Sequence, residues 1–190
     1  MPSDTYDAIL WVARRLFIRQ GYTATSMRQI AEEVGIGKAT IYHHFVDKLL
    51  IVTVLFERHF VQPAGAAKDQ SGNTDPQGQI KKAVQENLAF FQNTNDIIQV
   101  IRREVPELGP RLVTELENHN RIYSRYLKDA IDNGIKDGIF RKIEVDMAVN
   151  FLLTLVQGSS ITPILLGENI YSGQNQMDVW LDIFFHGIEK

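Results

Sequence analysis

The sequence predicts an all-α protein. Apolar side chains recur every three or four residues along most of the chain, which is the spacing of one helix face. Glycine or proline follows several of these runs, as at Gly21, Gly35 and Pro106, and no segment shows the strict alternation of a half-buried strand. We expect about nine helices, arranged as an N-terminal three-helix domain and a larger C-terminal helical domain.

The first four helices are short and carry clear boundary signals. They are predicted at residues 6–17, 27–34, 38–44 and 49–60. Ser26 and Gln29 fit a capping box, in which each side chain satisfies a backbone donor at the start of the second helix. Gly35 suits the left-handed backbone of a helix C-terminus, and Asp47 is a good N-cap for the fourth helix.

A loop separates these helices from the rest of the chain. Residues 63–78 are rich in proline, glycine and small polar side chains, so we place the domain boundary here. Residues 1–48 then form the first domain, 47–62 a connecting helix and 63–190 the second domain. The later helices are predicted at residues 80–91, 97–105, 110–130, 145–166 and 177–187.

Composition and charge limit the partners. The chain has 190 residues and no cysteine, which excludes disulfides, thiolate metal sites and cysteine nucleophiles. Its net charge is −3, but residues 1–60 carry seven Lys/Arg against six Asp/Glu and the remainder thirteen against seventeen, giving +1 and −4. Only the first segment could approach phosphate without repulsion.

The expected location is the cytoplasm, with no membrane partner. Asp4 and Asp7 stand where a signal peptide would carry positive charge. The most apolar segment, residues 151–166, is interrupted by Gln157 and Pro163 and is predicted as a buried helix.

Residues 27–44 have the pattern of a helix-turn-helix. Two short helices meet at Gly35, and the small side chain of Ala31 lets them approach closely. In this motif the second helix enters the major groove of double-stranded DNA, and flanking donors hold phosphates. The predicted DNA-binding residues are Thr25, Ser26, Arg28, Lys38, Ala39, Thr40, Tyr42, His43, His44 and Lys48.

The same region resembles the N-terminal signature of the TetR family of repressors. The matching residues are Ile9, Ala13, Leu16, Phe17, Gly21, Tyr22, Thr25, Ile30, Ala31, Gly35, Ile36, Lys38, Thr40, Ile41, Tyr42, His44, Phe45 and Lys48. Ala39 departs from a glycine common in the family, which puts the base preference in doubt. The resemblance implies a homodimeric repressor that binds a palindromic operator and releases it when a small-molecule effector fills the C-terminal domain.

Aromatic residues beyond the loop are candidates for an effector pocket, although aromatics at helical spacing are more often core. Arg102 could hold an acidic group of the effector, or it could simply be solvated. The candidate ligand-binding residues are Phe60, Phe90, Phe91, Arg102, Tyr123, Tyr126 and Phe151.

The last two helices carry more apolar surface than one face needs, which predicts burial against a second subunit as well as against their own domain. The alternative is a monomer with a thick core. The predicted dimer-interface residues are Phe151, Leu155, Gly158, Ser159, Val179, Trp180, Ile183 and Phe184.

The sequence fits two other function classes less well. An all-helical small-molecule-binding enzyme would need catalytic residues, and the chain has no nucleophile elbow, H-E-x-x-H or phosphate-binding glycine loop. Non-specific DNA coating would need a strongly basic chain. His43 and His44 are adjacent and point about 100° apart on a helix, so we expect no metal site, and no cofactor.

Overall fold

The computed structural model describes residues 4–60, 75–166 and 176–189, and it describes their side chains except at 59, 60, 160–166 and 176. Within these ranges the protein has eight α-helices and no strand, which confirms the all-α prediction. They are α1 (Thr5–Gln20), α2 (Met27–Val34), α3 (Lys38–His44), α4 (Lys48–Phe60), α5 (Pro76–Glu104), α6 (Gly109–Lys136), α7 (Val145–Leu166) and α8 (Gln176–Ile188).

The expected fifth and sixth helices are a single helix, α5, so the described residues form eight helices where about nine were expected. The predicted break lay after Phe91, where polar residues interrupt the apolar pattern. In the structure the buried stripe continues with four- and three-residue steps through Asn87, Phe91, Thr94, Ile98 and Ile101. Two polar side chains occupy buried positions of this stripe, and they conceal it from a hydrophobicity pattern.

The chain forms two compact units. The first contains Met1–Gln62 and Thr94–Leu116, and the second contains Pro63–Asn93 and Glu117–Lys190. Helices α5 and α6 therefore each contribute to both units. The sequence pattern gave no sign that residues 94–116 pack with the first sixty.

The core of the first unit is built around α1. Ile9, Leu16 and Phe17 are essentially inaccessible to solvent and belong to one cluster with Ile30 of α2 and Ile101 of α5. Truncating such a side chain, as in Phe17→Ala, costs about 3–5 kcal/mol because it removes apolar burial and leaves a cavity. This core fixes α2 and α3 against a rigid support.

Three helix starts are capped as their sequences require. Asp4 accepts a hydrogen bond from the Tyr6 amide at the start of α1, and Asp47 accepts one of 2.7 Å from the Leu50 amide at the start of α4. Ser26 accepts from the Gln29 amide at 3.1 Å, which confirms half of the predicted capping box. The Gln29 side chain instead bonds Gln20, so the reciprocal half does not form.

The second unit packs the beginning of α5 against α6, α7 and α8. Its buried side chains include Ile80 of α5, Leu127 of α6, Leu152 of α7 and Leu181 of α8. An isolated bridge joins Phe140 to Glu189 and ties the α6–α7 connection to the end of α8.

Within the described ranges, no single helix has both the length and the apolar composition of a membrane span. The bent pair Lys38–His44 and Lys48–Arg58 meets that criterion jointly, by length and composition only. Its residues Ile41, Phe45 and Ile51 are buried in the core of the first unit.

Candidate DNA-binding surface

The turn between α2 and α3 is set by Gly35. Its φ of 81° lies in the left-handed region, which glycine adopts without strain. Its amide donates to the carbonyls of Ala31 and Glu32, and the Ile36 amide donates to Ala31 at 3.0 Å. These bonds close the end of α2 and redirect the chain so that α3 starts three residues later.

Helix α3 has one buried face and one exposed face. Ile41 within the helix and Phe45 just after it point into the core. The other side presents a continuous polar and small-residue surface to solvent. Its exposed residues are Lys38, Ala39, Thr40, Tyr42 and His43.

His44 lies differently from its neighbours. It is half-buried, and its ring meets Tyr6 of α1 edge-on at a centroid distance of 6.2 Å. Tyr6 in turn stacks on Phe45 at 4.8 Å. His44 therefore helps to seat α3 on α1, whereas His43 faces outward.

The two hydroxyls at the start of α2 are engaged within the protein. Thr25 is 2% exposed, and its hydroxyl donates to the Gly21 carbonyl at 2.7 Å and accepts from Gln20 at 3.2 Å. Ser26 is exposed, with its oxygen on the Gln29 amide. Thr25 shapes the α1–α2 loop, residues 21–26, and Ser26 stays at the surface.

Lys48 begins α4 and reaches back to the α1–α2 loop. Its ammonium donates to the carbonyls of Tyr22 at 2.5 Å and Thr25 at 2.7 Å, and it lies 4.1 Å from the centre of the Tyr22 ring. Burial lowers the pKa of Lys48, and the negative charge of Glu104 acts in the opposite direction. The lysine is thus a clamp on the loop as well as a positive charge.

Most other cations of the first sixty residues are paired. The ion pairs are Arg14–Asp96, Arg15–Glu33, Arg19–Glu33, Arg28–Glu32 and Arg58–Asp7. Glu32 raises the pKa of Arg28 through a hydrogen bond and its charge. Among the described residues, Lys38 forms no ion pair, so it offers an unneutralised charge at the exposed start of α3.

Residues that the sequence did not suggest complete this region. Glu104, the last residue of α5, accepts a hydrogen bond of 2.6 Å from the Thr23 amide, 81 positions away. Gln20 links Ala24, Thr25 and Gln29. Helical periodicity carries no signal for contacts between such distant positions.

The candidate effector residues are only partly brought together. Phe90, Phe91 and Tyr123 surround His119, whose ring stacks on Phe90 at 3.7 Å and lies 4.6 Å from Tyr123. Arg102 is exposed in the first unit, and Phe151 is exposed on α7 and stacks on Phe184 at 6.3 Å. Tyr126 lies half-buried on α6, and the side chain of Phe60 lies outside the described residues.

His119 is held as a neutral ring. Its Nε2 lies 2.9 Å from Oδ1 of the buried Asn87, and burial lowers the pKa of His119 to about 4. Burial, followed by the charge of Glu86, raises the pKa of Tyr123 to about 12. The four rings of this aromatic cluster, residues 90, 91, 119 and 123, are therefore uncharged at neutral pH.

A polar groove of about 500 Å³ lies between α6 and α7. Asn120 and Gln157 join across it at 3.0 Å, and it is open to solvent. Its remaining lining residues are Glu117, Arg121, Ser124, Asn150, Leu153 and Thr154. None of these was anticipated from the sequence.

Helices α7 and α8 expose large apolar side chains. Met147 and Phe151 are 67% and 48% exposed on α7, and Val179 and Ile183 are 54% and 61% exposed on α8. Each pair is four residues apart, so each forms one face. The other candidate interface residues lie deeper: Leu155, Gly158, Ser159 and Trp180 are half-buried and Phe184 is buried.

In the part of the chain that the structure describes, no group of three or more His, Cys, Asp or Glu side chains is placed to hold a metal ion. The rings of His43 and His44 lie 5.6 Å apart at 71° to each other.

A short helix with an exposed polar face, held by a tight turn on a buried partner, defines the helix-turn-helix class of DNA-binding regulators. Residues 9–52 match the model of bacterial regulatory proteins of the tetR family, and residues 73–161 match that of the tetracyclin repressor-like C-terminal domain. The chain belongs to the TetR family and is a transcriptional regulator.

Curated relatives agree with this assignment. The transcriptional repressor KstR2 of Rhodococcus jostii RHA1 is 26% identical over 147 residues, covering 76% of this chain and 72% of that protein. The regulator YhgD of Bacillus subtilis is 26% identical over 156 residues, covering 82% of each. These relatives and the family are transcriptional regulators.

Solved structures share the fold. The ketosteroid transcriptional regulator KstR2 of Mycobacterium tuberculosis superposes with a TM-score of 0.68 at 21% identity, over 100% of this chain and 97% of that one. A putative transcriptional regulator from Saccharomonospora viridis, solved in complex with choline, gives a TM-score of 0.69 at 23% identity, over 100% of both chains.

Proposed function

We propose that this chain is a repressor that binds a palindromic operator as a homodimer and leaves it when a small-molecule effector binds. The observation that carries the proposal is the exposed face of α3, which presents five side chains to solvent while Ile41 and Phe45 anchor the helix from behind. A rigidly seated helix with small and polar outward residues fits the major groove. Such a protein works beside DNA, in the cytoplasm.

The proposed DNA contacts divide into two groups. Lys38, Ala39, Thr40, Tyr42 and His43 face outward from α3 and are assigned to base edges and the nearby backbone. Ser26 at the N-cap of α2, Arg28 on α2 and Lys48 on α4 are assigned to phosphates. Because the Thr25 hydroxyl and the His44 ring are engaged inside the unit, these two residues support the surface by shaping it.

Charge on this surface is sparse. The first sixty residues carry a net +1, and the ion pairs use most of the arginines. Arg28 can exchange its exposed pairing with Glu32 for a phosphate, since an exposed ion pair of this kind contributes little to stability. We therefore expect shallow salt dependence per subunit, with specificity arising from shape and base contacts.

Homodimerisation is proposed through the apolar faces of α7 and α8. The exposed pairs Met147 and Phe151, and Val179 and Ile183, are large apolar side chains that water solvates poorly. In a two-fold interface each subunit contributes the same surface, so both pairs would be buried in both subunits. The dimer would also have two α3 helices, one to bind each half of a palindromic site.

The effector is proposed to bind in the second unit, near the aromatic cluster. Residues 63–190 would then be the ligand-binding and dimerisation domain, with 1–48 reading DNA and 47–62 connecting them. The uncharged His119 and its aromatic neighbours favour an effector with an apolar or aromatic part. An effector that binds one dimer shape tenfold better than the other supplies about 1.4 kcal/mol of coupling.

The test is selection of a binding site from a randomised DNA pool by the purified full-length chain. We expect enrichment of one sequence with two inverted halves about ten base pairs apart, or a multiple of that spacing. Light scattering of the resulting complex should give an even number of chains per duplex. Enrichment of no sequence would contradict the proposal.

A further inference from the structure

The α1–α2 loop makes few hydrogen bonds of its own. Its described backbone bonds are those from the Gly21 amide to Phe17, from the Thr25 amide to Tyr22 and from the Ile30 amide to Ser26. Two charged side chains from elsewhere in the chain serve other backbone groups of the loop: Lys48 binds two carbonyls and Glu104 binds the Thr23 amide. The conformation of the loop therefore depends on side chains that lie outside it in the sequence.

The Glu104 carboxylate fits closely against the loop. Its Oε2 accepts from the Thr23 amide at 2.6 Å, a short distance typical of a hydrogen bond to a charged acceptor. Its Oε1 lies 2.7 Å from where a Cβ on residue 21 would stand, and Gly21 has a φ of 93°. A side chain at position 21 would both strain the backbone and collide with this carboxylate.

Electrostatics make this an unfavourable place for an acid. Glu104 is the last residue of α5, where the partial negative charge of the helix end disfavours a carboxylate, and it follows two arginines that suit the position better. A negative charge in the DNA-binding unit also repels phosphate. The hydrogen bond to the loop, and attraction to Lys48, offset these costs.

We propose that Glu104 is a positioning residue for DNA binding, which holds the α1–α2 loop in the shape that presents Ser26, Arg28 and Lys48 to DNA. This inference rests on the proposed function. Glu104 is not proposed to contact DNA; it acts through its hydrogen bond with the Thr23 amide. The end of α5 thereby determines the placement of a surface that lies some eighty positions earlier in the chain.

The sign of the effect distinguishes positioning from simple charge. If Glu104 acted only by repelling phosphate, then Glu104→Ala would tighten binding to every duplex. If it positions the loop, Glu104→Ala weakens binding to the duplex that the wild type selects, by about tenfold. Binding to a scrambled duplex changes little, because non-specific binding depends on charge more than on fit.

The experiment measures affinity by fluorescence anisotropy, with full-length protein and both duplexes. Glu104→Gln keeps an acceptor for the Thr23 amide without the charge, so we expect a smaller loss in the same direction, about threefold. Glu107→Gln is the matched control. It removes an equal charge from an exposed residue three positions later, in the 3-10 turn Pro106–Leu108, and should leave affinity unchanged or slightly higher.

Amide hydrogen exchange at Thr23 supplies a second measurement on the same proteins. Exchange should accelerate in Glu104→Ala and stay unchanged in Glu107→Gln, with thermal unfolding confirming that each variant is folded at the assay temperature. Should Glu104→Ala fail to fold, Glu104→Gln decides the matter by the same criteria.

A Glu104 variant that is folded and binds the selected duplex as tightly as wild type would overturn the inference. A wild-type chain that selects no duplex would instead contradict the proposed function. The two failures are thus separate.

Discussion

The ammonium of Lys48 lies 2.7 Å from the Thr25 carbonyl oxygen and 2.5 Å from that of Tyr22, so one side chain of α4 fixes the α1–α2 loop from which α2 begins. A lysine in this place joins two properties that mutation can separate. Its hydrogen bonds stabilise the loop, and its charge is proposed to bind a phosphate of DNA.

Lys48→Met should therefore lower both stability and DNA affinity. Two loop carbonyls lose a charged donor, which should reduce the free energy of unfolding by about 1 kcal/mol, since the site is partly solvated. Affinity should fall for all sequences, and the slope of log K against log salt should flatten by about one per lost phosphate contact. Urea unfolding and anisotropy titrations over a salt series measure the two effects.

Lys38→Met is the control for this prediction. Lys38 is exposed, so its loss should change stability by less than about 0.5 kcal/mol while still weakening DNA binding. If Lys48→Met kept the wild-type salt slope, Lys48 would be a clamp alone and its assignment to a phosphate would be wrong.

Thr40→Ala and His43→Ala should change which sequences are bound rather than whether the protein folds. Both side chains are exposed on α3, so each variant should unfold within about 0.5 kcal/mol of wild type. Repeating the selection from a randomised pool should yield sites altered at one or two positions in each half.

Ile41→Ala provides the contrast on the same helix. Ile41 is fully buried, so truncation should cost about 2–5 kcal/mol without altering the selected sequence in whatever fraction stays folded. If the wild type and both exposed variants selected identical sites, the assignment of these α3 side chains to base edges would be wrong.

Ile183→Glu should abolish the dimer and leave the fold intact. The side chain is 61% exposed in the single chain, so a carboxylate there stays solvated in a monomer but would be buried without a partner in the proposed interface. Sedimentation at micromolar concentration should show the mass of two chains for wild type and of one for the variant.

Val113→Glu is the matched control, because Val113 is 56% exposed but belongs to the first unit and is not on either proposed interface helix. It should remain dimeric. A wild-type protein that sediments as one chain would refute the proposed interface directly.

Stability should fall as the pH is lowered from 6.5 towards 4, in part because of His119. Burial lowers its pKa to about 4 in the folded state, against 6.5 for the free side chain, so the unfolded chain binds the extra proton in this window. The contribution of His119 to the free energy of unfolding is fully present above pH 6.5, and about 3 kcal/mol of it is lost by pH 4.

His119→Gln should remove this component of the pH dependence. It keeps a polar group near Asn87 but cannot take up a proton, so the difference in unfolding free energy between pH 7 and pH 5 should shrink relative to wild type. Equal pH dependence for wild type and His119→Gln would show that His119 titrates normally.

The helix-turn-helix could be predicted because its signals are local. Ser26 caps α2 through an amide three residues away, Gly35 ends it, and Ile41 marks the inner face of α3. Each of these features depends on residues within one or two turns, so the order of residues alone determines them.

Longer-range features escaped the same reasoning. The sequence predicts a break between residues 91 and 97, yet α5 continues through it with the polar Thr94 in its buried stripe. The sequence places Arg102 and Phe90 in one candidate pocket, yet they belong to different units of the structure.

The sequence by itself determined an all-α chain with a DNA-reading motif near its start, since helix periodicity and caps are written in neighbouring residues. Only the tertiary structure decided that Lys48 and Glu104 form hydrogen bonds with the α1–α2 loop beside that motif. The physical reason is that hydrogen-bond partners of a loop without regular structure are chosen by packing, which brings together positions that no local pattern connects.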